Sequence, residues 1–179
     1  MTNKLIIPKN HKIALLYEGS AEKAIIENLL DNNQLIFNRD DLLEGKIFKR
    51  CGLPSFCKSH LGHEMSNTIY IIRIIDSKGE KYNIPPVYEH KIEEVLTIIT
   101  SPEIEILHII SEGKYDDYQN NHKKLKPSKY ANEYLHLKKS FSYHENFWKT
   151  SDLISSIKEY DRVTSSEGYN LSDLLKKEN

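Results

Sequence analysis

A chain of 179 residues, 39% hydrophobic and 28% charged, has the size and composition of one globular domain able to bury a core. Its formal net charge of −1 excludes long-range attraction to nucleic acid by the molecule as a whole, so such attraction has to come from local patches. No apolar run approaches a membrane-spanning length and the first residues lack the apolar stretch of a secretory signal, so a cytoplasmic protein without a membrane partner is expected.

The run Ile13 to Tyr17 predicts a buried strand, with Gly19-Ser20 as the tight turn after it. Ser20 is suited to cap a helix over residues 21–30, whose Ile25, Ile26, Leu29 and Leu30 recur at helical spacing before Asp31-Asn32-Asn33 stops it. Strand, turn and helix in that order are the first half of a βαβ unit, which needs a parallel strand to return to. Residues 35–66 carry weaker signals: a short strand at Lys46 to Lys49, then loop or short helix from Arg50 to Ser66. Thr68 to Ile75 is β-branched and nearly continuous in apolarity, the pattern of a strand covered on both faces, and it ends in the turn Asp76-Ser77-Lys78-Gly79-Glu80.

The spacing of Ile92, Val95, Leu96 and Ile99 predicts a helix over 87–99. The next helix is expected to start with Ser101 as cap and Pro102 as its first residue. It would run to Tyr118 or Asn120 with Ile104, Leu107, Ile109 and Ile110 inward, weakened at Gly113. The rest reads as helical and irregular: Pro127-Ser128 opens one helix towards Lys139, Ser151-Asp152 another towards Val163, and Leu171 to Lys177 a last turn or two. No stretch reads as a linker, so residues 1–179 are expected to form a single α/β domain.

Two of the core strands end in an acid, Glu18 and Asp76, and parallel strands would present both at one sheet edge, where open α/β sheets bind their ligands. With Glu22 and Glu105 they make a set of hard oxygen donors suited to Mg²⁺ or Mn²⁺. Such an ion assists phosphodiester hydrolysis by activating water and stabilising the charge on phosphorus. The opposing reading is that Glu18 sits at an exposed strand end or interacts with the following helix N-terminus. Glu105, His108 and Glu112 share one helix face, and for His108 and Glu112 a polar stripe facing water is the expectation.

The run Leu15-Leu16-Tyr17-Glu18-Gly19-Ser20-Ala21-Glu22 resembles the first motif of Toprim domains, the fold shared by topoisomerases, primases and OLD-type nucleases. The strand entering Asp76, with Gly79 after it, resembles the second motif. Thr100-Ser101-Pro102-Glu103-Ile104-Glu105 is similar to the Asn-Pro-x-Phe-Glu segment of the RloB-like branch, with Glu105 in the acid's place. The resemblance covers residues 12–112 and leaves 113–179 as a helical C-terminal extension. It implies a Toprim-like (Rossmann-like) core and a metal-dependent nuclease in restriction or phage defence, with nucleic acid as substrate. A protein partner such as a defence-system ATPase would supply regulation. Toprim domains usually carry Asp-x-Asp, whereas this chain reads Asp76-Ser77-Lys78, and Glu80 stands two residues beyond the second acid's place. Lys78 would neutralise the scissile phosphate, or would mark a weakened metal site. The latter supports a second reading, a catalytically inactive interaction or regulatory protein of the same fold.

Other signals compete. Cys51, Cys57, His60 and His63 are zinc-ligand types in a spacing unlike that of the common fingers, set against ordinary buried cysteines and loop histidines. Lys46, Lys49, Arg50 and Lys58 form one basic cluster and Lys123, Lys124, Lys126 and Lys129 another, each able to meet a few phosphates or simply to face solvent. Tyr115, Tyr118, Tyr130 and Tyr134 interleave with the second cluster and would stack bases or, as favoured, pack helices together. Trp148, with Phe141 and Phe147, is expected to anchor the C-terminal helices, and histidines such as His136 and His144 to lie on the surface. There is no Ser-His-Asp order, no G-x-G-x-x-G and no phosphate-binding G-x-x-x-x-G-K loop.

Overall fold

A computed structural model describes residues 5–77, 79–164 and 168–177. Its centre is a sheet of four parallel strands in the order β2-β1-β3-β4, formed by β1 (Lys12–Tyr17), β2 (Phe48–Lys49), β3 (Ile69–Ile75) and β4 (Ile92–Ile99). Parallel neighbours need crossovers, and helices on both faces supply them. Helix α1 (Ser20–Asp31) connects β1 to β2 with Ile25, Ile26 and Leu29 against Ile13, Leu15, Ile72 and Ile74. Helix α2 (Leu53–His60) connects β2 to β3 over the opposite face, where Leu53, Phe56 and Cys57 meet Ala14, Leu16, Ile69 and Ile71. The short α3 (Pro86–Glu89) leads into β4. The architecture is therefore α/β and Rossmann-like. No helix among the described residues is long and apolar enough to cross a membrane.

The chain winds from β1 to β2 on one side and then returns to place β3 on the other. The strand order thus reverses between β1 and β3, and a crevice opens at such a point beyond the strands' carboxyl ends. The register pairs Tyr17 with Lys49, Leu16 with Arg73 and Ile75 with Ile99. Glu18, Arg50, Asp76 and Thr100, each the next residue after its strand, consequently share one rim.

The helix expected over 87–99 is corrected to a short helical turn followed by strand β4. Ile92, Val95, Leu96 and Ile99 satisfy a helical repeat, but the physical period is two. Leu96 and Ile98 are buried in the core of α1, while Val95 leans on the core of α2 together with Ile92, which a register shift between the Ile69–Ile92 and Tyr70–Glu94 pairs moves to that face. Each face of β4 thus meets a different core, and β-branched residues suit that setting. The expected helix start at Ser101-Pro102 is also displaced. Residues 101–105 form a turn in which Tyr160 donates its hydroxyl to the Ser101 carbonyl and Glu103 accepts the Ser128 N–H (2.8 Å), and α4 (Ile106–Ser111) follows. Gly113, at φ +65°, closes α4 rather than merely weakening it.

Beyond it lie α5 (Tyr115–Asp117), a π turn (Tyr118–His122), α6 (Pro127–Leu135), α7 (Phe141–Thr150), α8 (Leu153–Val163) and a final 3₁₀ turn (Leu171–Leu174). Ser140 caps α7 and Asp152 caps α8 through their side chains. Tyr118, Tyr130, Trp148, Leu153, Ile157, Leu171 and Leu174 join the same buried cluster as β1, β3 and α1. Tyr118 and Tyr130 meet edge-on, and Tyr130 stacks on Tyr134.

Candidate functional site

The site begins with a glycine. Gly19 is the N-cap of α1, and its N–H donates to Glu22 Oε2 at 2.9 Å. A Cβ on residue 19 would lie 2.8 Å from that same oxygen, so the Glu18-Gly19 pair lets the Glu22 carboxylate fold back onto the strand end. Glu22 is buried, and burial together with the charges of Glu105 and Glu18 pushes its carboxyl up to about 7. Glu105, at the N-cap of α4, is raised by burial and by Glu103 and Asp76, with Lys139 acting against them. Glu18, Glu22, Asp76, Glu103 and Glu105 all line one cavity of about 320 Å³, closed by Ser128, Lys139 and His144. The four acids singled out in the sequence are therefore brought together on one rim, at the crevice between β1 and β3. Lys78 lies outside the described residues.

Glu18 faces two ways. Its Oε1 accepts Arg50 Nη1 at 2.7 Å, while its Oε2 is shut from solvent without a hydrogen-bond partner among the described residues. Hard oxygen donors, an orphaned carboxylate oxygen and two acids with raised pKa fit a hard divalent cation, which would satisfy the oxygen and pull both pKa values back down. With Glu18 held by Arg50, no three His, Cys, Asp or Glu side chains among the described residues are drawn together tightly enough to grip an ion.

The zinc candidates differ in their surroundings. Cys57 is buried in the α2 core and burial pushes its thiol up, whereas Cys51 and His63 are exposed. His60 Nδ1 pairs with Glu44 Oε1 at 2.8 Å and its ring packs on Phe48 and Phe56. The sequence spacing is met by a helix that turns Cys57 inward, so a four-ligand cluster is not formed among these residues. Lys123, Lys124, Lys126 and Lys129 are all exposed around the start of α6. Lys126 reaches Glu103 at 3.6 Å, which ties this patch to the rim, while Lys129 pairs with Glu133 at 3.8 Å.

His136 is exposed as expected, but His108 and His144 are not. His108 and His144 are both buried, with His108 Nε2 and His144 Nδ1 3.1 Å apart. Burial, and to a lesser degree His144, lowers His108 to about 3, and His144 is lowered by burial as well. His108 Nδ1 has no hydrogen-bond partner among the described residues. An unpaired lone pair is cheaper to bury than an unpaired N–H. We therefore assign the proton to His108 Nε2, which donates to His144 Nδ1 and leaves the other nitrogen of His144 as its N–H, on the residue that lines the acid cavity. The expected water-facing stripe holds at Glu112, which is exposed, and fails at His108, which α4 turns against Phe147 and Trp148 of α7.

Sequence reasoning also passed over Arg73. It is 4% exposed in the middle of β3, and its Nη2 donates to Glu80 Oε1 at 2.6 Å, the oxygen that also accepts Arg50 Nη2 at 2.6 Å. A cation inside an otherwise apolar strand was the signal that could have found it. Glu80 is therefore engaged by arginines, outside the set that lines the acid cavity. Comparison with protein-family models, with curated proteins and with solved structures yields no match to this chain.

Proposed function

We propose that this protein is a metal-dependent nucleic-acid phosphodiesterase with a Toprim-like core, working in restriction or phage defence beside a regulatory partner such as an ATPase. The observation that carries the reading is the convergence of Glu18, Glu22, Asp76 and Glu105 on one cavity at the point where the strand order reverses. Glu18 and Asp76, with Glu105 assisting, would hold Mg²⁺ or Mn²⁺, and when bound such an ion supplies Lewis acidity and an activated water. Glu22, with a carboxyl near 7, is poised to hold or release a proton at neutral pH from the cavity wall. Lys139 in the wall, and Lys126 beside Glu103, supply positive charge for the phosphate backbone.

The test is cleavage of end-labelled single- and double-stranded DNA and RNA in Mn²⁺. Wild type is expected to cut at least one of them. Glu18→Gln and Asp76→Asn should fall to the level of an EDTA control while keeping the wild-type far-ultraviolet spectrum. Undiminished cutting by both variants would refute the assignment.

One observation favours a second reading, a non-catalytic interaction protein of the same fold: Arg50 already gives the Glu18 carboxylate a positive partner. That reading predicts no cutting of any substrate and no heat on titration with Mn²⁺.

A further inference from the structure

A second cavity, of about 490 Å³, adjoins the acid one and shares Glu18 with it; its wall includes Arg50, Arg73, Glu80, Tyr82 and Cys51. Its floor is unusual. Arg73 sits on the central strand with its charge out of water, which requires a compensating anion. Glu80 gives that compensation incompletely. A single oxygen, Oε1, accepts both Arg73 Nη2 and Arg50 Nη2, while Arg73 Nη1 is buried with no hydrogen-bond partner among the described residues. Two guanidinium groups thus converge on one point with donors to spare, an arrangement suited to a planar or tetrahedral oxyanion. The first turn of α2, with Gly52, Leu53 and Pro54 in the wall, adds the positive end of a helix dipole. Tyr82 lies over the Arg73 guanidinium, 5.1 Å from it to the ring centre, and is 47% exposed.

We infer that the Arg50–Arg73 pair is a binding site for a terminal phosphate monoester of a nucleotide, and that Glu80 holds the place of that phosphate in the free protein. Charge selects the monoester. Two guanidinium groups freed from Glu80 match a group carrying close to two negative charges, whereas an internal phosphodiester carries one. The cavity falls in the size range of small-ligand pockets, and the exposed ring of Tyr82 offers a face for the attached base. Arg50 also holds Glu18, so a phosphate seated on Arg50 competes with that ion pair and loosens Glu18 towards the acid cavity. The choice of a nucleotide rests on the phosphodiesterase reading above. The site itself needs no metal, so it can be tested separately.

The experiment is fluorescence anisotropy in EDTA, with 3′-labelled oligonucleotides bearing either a 5′-phosphate or a 5′-hydroxyl. Wild type should bind the phosphorylated strand roughly ten-fold tighter, the effect expected of a charge-assisted pair of hydrogen bonds. Glu80→Gln should tighten that binding further, because it removes the competing carboxylate, and Arg50→Gln should erase the preference. A merely structural ion-pair cluster would not gain affinity when Glu80 is neutralised. Competition by 5′-AMP at concentrations near the strand's own affinity would assign the site to free nucleotides, and a preference that survives AMP would assign it to strand ends. Equal binding of the two strands by both wild type and Glu80→Gln would overturn the proposal. Because no metal is present, that outcome leaves the cleavage result in Mn²⁺ standing on its own.

Discussion

At the scale of single residues, the molecule sets an acid against a base. Glu22 is raised from 4.5 to about 7, so between those values the folded state holds a proton that the unfolded chain has released, and stability falls as pH rises through that window. His108 is lowered from 6.5 to about 3, so the unfolded chain takes up a proton that the folded state refuses, and stability falls as pH drops below 6.5. The two slopes oppose each other between pH 4.5 and 6.5. Wild-type stability is therefore expected to be nearly flat there. Glu22→Gln, which keeps an oxygen for the Gly19 N–H, should instead gain stability with pH across that interval, by about 1.4 kcal/mol per pH unit. At pH 8 it should exceed wild type by roughly 3 kcal/mol. Urea unfolding at a series of pH values measures both, and parallel curves for the two proteins would refute the raised pKa. Gly19→Ala should be tolerated by the fold, since the atom it meets is the movable end of Glu22, but it should swing that carboxylate off the cap and return the stability profile towards that of Glu22→Gln.

At the scale of elements, legibility followed how many constraints each segment's sequence had to satisfy. Strand β1, helix α1 and strand β3 were legible because apolar run and turn agreed, although the N-cap is Gly19 and the expected cap Ser20 is the first helical residue, its hydroxyl donating to the Lys139 carbonyl instead. The β4 segment reads as a helix because Ile92, Val95, Leu96 and Ile99 recur at spacings of three and four, while a register shift near Ile92 interrupts the alternation that a regular strand would show. What separates the two readings is tertiary: β4 is the edge strand that completes the sheet against β3, with its far end covered where Ile99 donates to the Tyr169 carbonyl. The distinction can be measured. Ile98→Ala, fully buried in the strand but off the inner face of the expected helix, should cost about 2–5 kcal/mol, whereas Val87→Ala, 66% exposed on the turn before the strand, should change stability by less than about 0.5 kcal/mol. Comparable losses at both positions would contradict the strand assignment. The buried histidine pair was illegible for a related reason: one helix repeat says which residues share a face, but not that α7 returns to cover it.

At the scale of the whole molecule, the two halves of the chain share one core. Residues of α6, α7 and α8 pack in the cluster that holds α1 and the central strands, and α7 lies along α1, with Asn28 donating to the Trp148 carbonyl at 3.2 Å. Trp148 is the sole tryptophan, so its fluorescence reports the seating of α7. Unfolding followed by that fluorescence and by far-ultraviolet circular dichroism should give coincident transitions, and a separate early loss of the fluorescence signal would show that the C-terminal helices form an independent unit. The acid constellation was legible as a list because strand ends are visible in sequence and parallel strands align them. Arg50's hold on Glu18 was not, since it depends on β2 pairing beside β1 and carrying Arg50 to the same rim.

On the reading proposed above, the aligned acids would hold one hard cation. Calorimetric titration of Mn²⁺ into the protein at pH 7.5 tests it most directly. One ion should bind per chain, with proton release from Glu22 and with binding abolished in both Glu18→Gln and Asp76→Asn. Absence of binding to the wild type, or binding that survives both substitutions, would contradict it.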